Sequence, residues 1–205
     1  KREPSFPIAV ACDPAFNFVY EANIRYLHHL GEVTYFSPLA DTSLPDAGFV
    51  YLPGGYPELY LAALSANRQM LQSIRRYVES GGKLLAECGG MMYLCDEIRD
   101  KNGYVYPMAG VLHQSATMEN MKLRLGYRTL LYNETRLKGH EFHYSRLVEQ
   151  QNPLPSCAVA YTAKGVETDT PLYHYKNVWA GYTHLYWADP VGNEWFTKFV
   201  IDGNT

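Results

Sequence analysis

Lys83-Leu84-Leu85-Ala86-Glu87-Cys88-Gly89-Gly90-Met91-Met92-Tyr93-Leu94 decides the fold. An apolar run, a cysteine, two glycines and an apolar helical start follow one another. That order matches a nucleophile elbow, a sharp strand-to-helix turn that presents a Ser or Cys at the end of a sheet. Glycine beside the nucleophile removes the Cβ that such a turn cannot hold. The helix that follows would aim its positive end at the sulfur, favouring thiolate and an oxyanion. The competing reading is one more buried structural cysteine.

Working outward, Ile8–Cys12, Val33–Phe36, Gly48–Leu52 and Val178–Tyr182 are further short apolar runs. Runs of this kind suit strands covered on both faces, as in a parallel sheet. A helix is predicted from an Asn17 cap to Leu30, and another from Asn67 to Glu79. The alternation of strands and helices up to the elbow implies a mostly parallel α/β sheet wrapped by helices. From Gly103 onward the texture is β-rich, with segments around Tyr104–Tyr106, Leu125–Tyr132, Gly139–Leu147 and Ala158–Thr162, which predicts extra antiparallel strands. Pro190 to Ile201 reads as a closing helix.

At 205 residues, 47% apolar and 19% charged, the chain is expected to form one domain. A net charge of -3 without a basic stripe argues against nucleic acid. No apolar run is long enough for a membrane span, and none reads as a signal peptide. Cys12, Cys88, Cys95 and Cys157 form no C-x-x-C pair, so reduced thiols, a cytoplasmic setting and no metal are expected. The chain opens at Lys1 and enters its first strand at Pro7, which suggests a partner domain upstream.

A catalytic thiol needs a base. His184 follows the Val178–Tyr182 strand; if that strand runs parallel to the elbow strand, His184 emerges at the same edge as Cys88. His28 and His29 lie on the first helix and read as surface. Pro53-Gly54-Gly55-Tyr56-Pro57-Glu58 ends the third strand, where backbone N–H groups can meet a ligand. In Gly139-His140-Glu141-Phe142-His143-Tyr144-Ser145, strand alternation puts His140 and Phe142 on one face and Glu141 and His143 on the other. That is too few ligands per face for a metal. Glu141 and His143 are read instead as substrate-pocket or domain-interface residues, or as a satisfied buried polar network.

Taken together, Ala15-Phe16-Asn17-Phe18, Phe36-Ser37-Pro38-Leu39-Ala40-Asp41, Gly54-Gly55-Tyr56-Pro57-Glu58, Ala86-Glu87-Cys88-Gly89-Gly90, the Gly139–Ser145 stretch and Tyr182-Thr183-His184 resemble a known family. It is the C-terminal glutamine amidotransferase domain of the cobyrinic acid a,c-diamide synthases, within the CobB/CobQ-like glutaminases. The resemblance spans nearly the whole chain and implies a flavodoxin-like, class I glutamine amidotransferase fold. It implies that Cys88 attacks glutamine, that Gly55 and Gly89 N–H groups hold the oxyanion, and that His184 moves the proton. It further implies that ammonia passes to an N-terminal synthetase domain, which binds ATP, Mg and most of the corrinoid and amidates its a and c acetates. No cofactor is expected in this domain, which has no G-x-x-x-x-G-K-[ST] loop. Ordinary class I glutaminases carry a Glu two residues after the His; here that position is Tyr186, as in the resembled family. The pair therefore reads as a Cys–His dyad, with Glu141 or a carbonyl left to orient the ring. A nickel-sirohydrochlorin a,c-diamide synthase, or a non-catalytic interaction domain keeping the fold, would share these features.

Overall fold

In the computed structural model, which describes residues 6–203, the chain opens with β1 (Pro7–Ala11), α1 (Glu21–Leu30), β2 (Glu32–Phe36) and β3 (Phe49–Leu52). It continues through α2 (Leu61–Ala66) and α3 (Arg68–Glu79) to β4 (Leu84–Glu87) and α4 (Gly89–Leu94). Strands then dominate: β5 (Cys95–Arg99), β6 (Val105–Pro107), β7 (Leu112–Thr117), β8 (Arg124–Tyr132), β9 (Thr135–His143), β10 (Arg146–Leu147), β11 (Val159–Thr162), β12 (Glu167–Thr168), β13 (Leu172–Tyr175), β14 (Val178–Gly181) and β15 (His184–Tyr186). α5 (Pro190–Trp195) passes directly into a π-helical segment over Phe196–Ile201.

The apolar runs form a central sheet ordered β13-β14-β4-β3-β1-β2. Every neighbouring pair is parallel except β13 with β14. The strand order β2-β1-β3-β4-β14 is the doubly wound, flavodoxin-like pattern, in which ligands gather at the carboxyl ends of the strands. Because side chains alternate, Ala9, Val50, Leu84 and Ala86 enter one core and Ile8, Val10, Phe49 and Leu85 the other. Met70, Leu71, Ile74 and Val78 of α3 cover the first face. Leu27 of α1, with Trp195, Phe196 and Val200, covers the second. Each such side chain contributes roughly 1.5–3 kcal/mol on burial, so the sheet is held from both sides.

One local expectation needs correction. α1 begins at Glu21, behind a Tyr20 cap that offers no side-chain bond, rather than at Asn17. Residues 13–18 are held elsewhere: the Asp13 carboxylate accepts the N–H groups of Ala15 and Phe16 and, from across the sheet end, Ser37 Oγ and the Leu39 N–H. Phe18 then bridges to Gly54. Asn67 does cap α3, but a 3-10 turn at Pro57–Leu59 and α2 precede it. The helix after the elbow lasts only six residues before the chain re-enters a strand, β5. The closing helix runs from Pro190 to Ile201 as expected, its second half in π geometry.

The β-rich half forms two more sheets, β10-β7-β5-β6 and β12-β11-β8-β9-β15. The second is antiparallel throughout. β8 and β9 pair along their full lengths around a tight turn in which Asn133 takes φ 51°. The chain leaves the central sheet at the end of β14 and joins β9 at once through β15, pairing His184 with His140. His184 therefore stands where the two sheets meet.

Candidate active site

Cys88 follows β4 with φ 51° and ψ -109°, a left-handed backbone that a side chain rarely adopts. Such strain costs about 1–3 kcal/mol and persists only where the surroundings enforce it. Here they do. The Cys88 N–H donates to Gly181 O at 2.7 Å, tying the elbow to β14. A Cβ on Gly90 would lie 2.1 Å from Leu52 O, and one on Gly89 would lie 2.7 Å from Pro57 Cδ and 3.3 Å from Gly55 N. The two glycines let the elbow seat against the end of β3 and its Gly-Gly turn. Gly55 itself takes φ 155° against Ala15 O, a place closed to other residues.

The thiol is 4% exposed and donates to Phe142 O at 3.6 Å. Burial pushes it upward from its ordinary value, and Glu58, Glu141 and Glu87 add to this against the opposing Gly89 N–H. The short α4 does not outweigh these effects, so the resting group is the thiol, not the expected thiolate. His184 is also uncharged. Burial, with His140 and His143 nearby, lowers it to about 3, against the pull of Glu141. Both groups are neutral at rest, an acid on the elbow and a base at the sheet junction.

The His184 ring rests on Gly54 and against the Phe18 ring, 4.3 Å between centroids. Its Nδ1 is buried and has no hydrogen-bond partner among the described residues. Glu141 does not supply one, because its oxygens bond elsewhere. The backbone is held more firmly: Tyr20 OH donates to His184 O at 3.5 Å, Asn23 Nδ2 to Leu185 O at 2.8 Å, and the Leu185 N–H to the Glu87 carboxyl. Tyr186, in the position of the acid of ordinary class I glutaminases, packs edge-on against Tyr20.

Phe18, Gly55, Tyr56, His140, Phe142 and His184 line a cavity of about 220 Å³. This is the scale of a small metabolite, below the range of larger ligand pockets. A second cavity, about 970 Å³, is lined by Arg124, Glu141, His143, Ser145, Asp169 and Tyr182 among others. β9 forms a wall common to both. The predicted set is therefore divided. Cys88, Gly55, Gly89 and His184 gather at the sheet ends, while Glu141 and His143 face the larger cavity. Glu141 is 1% exposed and accepts from His143 Nε2, Arg128 Nε and Thr170 Oγ1, each at 2.7 Å, and from Arg124 at 3.1 Å. Burial alone would raise this carboxyl; the bonds from His143 and Thr170, with the charge of Arg124, bring it down to about 2. His143 also stacks on Tyr182 at 3.7 Å.

Phe18, Tyr56, His140 and Phe142 escaped the sequence reading as site residues. The signal was present for two of them: alternation separated His140 and Phe142 from Glu141 and His143, but not which face lined the cavity with His184. His28 and His29 are exposed on α1, as expected. Among the described residues, no group of three or more His, Cys, Asp or Glu converges as metal ligands would.

Compared with known proteins, residues 7–191 match the family model of the CobB/CobQ-like glutamine amidotransferase domain. The chain is 40% identical to the hydrogenobyrinate a,c-diamide synthase of Pseudomonas aeruginosa, over 87% of this chain and 41% of that protein. It is likewise 40% identical to the cobyrinate a,c-diamide synthase of Fusobacterium nucleatum, with the same coverage. The chain thus spans about two fifths of the length of these relatives. Among solved structures, PurLQS of Thermotoga maritima superposes with TM-score 0.60 at 19% identity, over 88% of this chain and 87% of that one. A glutamine amidotransferase of the same organism gives 0.57 at 12%, over 95% and 82%. At such identities these structures bear on the fold alone, and they agree with the α/β architecture.

Proposed function

This chain belongs to the CobB/CobQ-like glutamine amidotransferase domain family, and from that we propose that it hydrolyses glutamine through Cys88 and His184 and supplies ammonia for amidation of a corrinoid. The observation that carries the reading is the strained Cys88 elbow seated against the Gly54-Gly55 turn, with His184 at the sheet junction.

Glutamine enters the smaller cavity with its side-chain amide toward Cys88. Sulfur attacks the amide carbon as the thiol proton passes to His184, which its neutral state allows. The Gly55 and Gly89 N–H groups receive the oxyanion. Protonated His184 then gives its proton to the nitrogen as the C–N bond breaks, and ammonia leaves a γ-glutamyl thioester. Water attacks the thioester, its proton going to His184. The C–S bond breaks, sulfur takes the proton back, and glutamate departs. Phe18, Tyr56, His140 and Phe142 form the walls that exclude bulk water. Glu141 and His143 brace β9, whose Phe142 carbonyl meets the thiol.

Ammonia then reaches a synthetase domain that activates the a and c acetate carboxylates of cobyrinic acid or its metal-free counterpart, using ATP and Mg. This follows the names and greater length of the relatives. The test of the first half is a glutamine-mimicking electrophile such as diazo-oxo-norleucine, with the adduct mapped by mass. Cys88 should carry it. An unlabelled Cys88, under conditions that label a known glutaminase, would overturn the reading in favour of a non-catalytic domain.

A further inference from the structure

The reaction above makes no use of Glu87, the residue before the nucleophile. It is 1% exposed, in a strand whose other residues are apolar. Its carboxyl accepts Tyr51 OH from β3 through one oxygen and the N–H of Leu185 from β15 through the other. One side chain thus joins the residue before Cys88 to the residue after His184, across the junction of the two sheets. A buried carboxyl is costly, and a structural filler at this position would be a hydrophobe like Leu85.

We propose that Glu87 is a positioning residue for Cys88 and His184: its carboxyl clamps the elbow strand to the start of β15 and so holds the imidazole over Gly54. The inference rests on the glutaminase reading. Glu87 touches no substrate; it acts through the Leu185 peptide.

The titratable groups that face it are Tyr51 from β3, Tyr20 from the segment before α1, Cys88 beside it and His184 next to Leu185. None supplies a positive charge. Burial therefore raises Glu87 to about 8, against the bonds from Tyr51 and Leu185, and the clamp keeps its proton at neutral pH. Once ionised, it places a negative charge beside Cys88 that opposes formation of the thiolate.

Glutamate release by the full-length polypeptide, followed against pH for wild type, Glu87→Gln and Glu87→Met, decides the matter. Wild-type kcat should fall as pH rises through about 8. Glu87→Gln, whose amide accepts from Leu185 and donates to Tyr51, should keep its neutral-pH kcat and lose that fall. Glu87→Met should lower kcat by at least about tenfold with KM unchanged, because it misplaces His184. An unaltered alkaline fall in Glu87→Gln, or wild-type kcat in Glu87→Met, overturns the proposal. If Glu87→Met does not fold, the Glu87→Gln profile still decides. A wild type that neither releases glutamate nor accepts the electrophile would bring down the glutaminase reading, and this inference with it. An active wild type indifferent to both substitutions would bring down this inference alone.

Discussion

The imidazole of His184 lies on the backbone of Gly54, so closely that a Cβ there would stand 2.1 Å from His184 Cε1. The ring is also backed by Phe18, which leaves it no cheap way to move aside. Gly54→Ala should therefore displace the base rather than unfold the domain. A displacement of about 1 Å can cost roughly 100-fold in rate, and kcat for glutamine hydrolysis should fall by about that factor. Steady-state kinetics beside a thermal melt checks this; activity near wild type would mean that His184 is not the base.

Cys88→Ser should abolish glutamine-supported amidation in the full-length polypeptide while ammonia-supported amidation continues. Removing the nucleophile leaves the proposed ATP-dependent synthetase step, which can take its ammonia from solution. Comparing amide product with glutamine and with ammonium salts is sufficient. Loss of both would place Cys88 in the structural core instead.

Protonation of His184 should destabilise the fold over a defined window. His184 is held down to about 3 in the folded chain, whereas an unfolded histidine titrates near its ordinary value of 6.5. Between those values the unfolded chain binds the extra proton, so stability drops as pH falls from 6.5 toward 3. Glu141, lowered to about 2, adds a loss that begins below the ordinary carboxylate value of 4.5 and completes only near 2. Glu87, raised to about 8, works in the opposite sense, binding its proton in the folded chain between 8 and 4.5. Urea midpoints measured from pH 7 to 4 should therefore fall less, or rise more, in His184→Asn than in wild type. Equal slopes in the two proteins would contradict the buried neutral state of His184.

Glu141→Ala should be among the most destabilising single changes in the molecule. It strands the Arg128 guanidinium, 8% exposed, without its carboxylate. Breaking a buried pair by removing one partner costs about 3–5 kcal/mol. Denaturant unfolding should register that loss, with a smaller one for Glu141→Gln. A large rise in KM without loss of stability would instead make Glu141 a substrate contact.

Much of this was legible along the chain. Leu84–Glu87 and Phe49–Leu52 announced buried parallel strands because both of their faces must be apolar. Cys88-Gly89-Gly90 announced the elbow because only glycine fits that turn. Position after a parallel strand pointed to His184. Less legible were boundaries decided by distant partners. Asn17 resembles a cap, but Asp13 and Gly54 hold its neighbours in an extended path. The end of the helix after the elbow was not marked in the sequence; β7 pairs with Cys95 and draws the chain into a second sheet.

By itself, the sequence determined the class of the fold and the place of the elbow, since both follow from local rules: two-sided burial, and a Cβ that cannot be accommodated beside a strained turn. Only the tertiary structure decided how the nucleophile is kept. The thiol next to a helix start is neutral rather than ionised, because burial outweighs six residues of helix. The histidine is steadied by a glycine, an aromatic ring and its own backbone, because β15 crosses from one sheet to the other at that residue. And of the two faces of β9, the one carrying His140 and Phe142 lines the cavity that holds His184, and the other lines the larger cavity. Alternation fixes which residues share a face; which face looks inward depends on where a strand from elsewhere in the chain comes to rest.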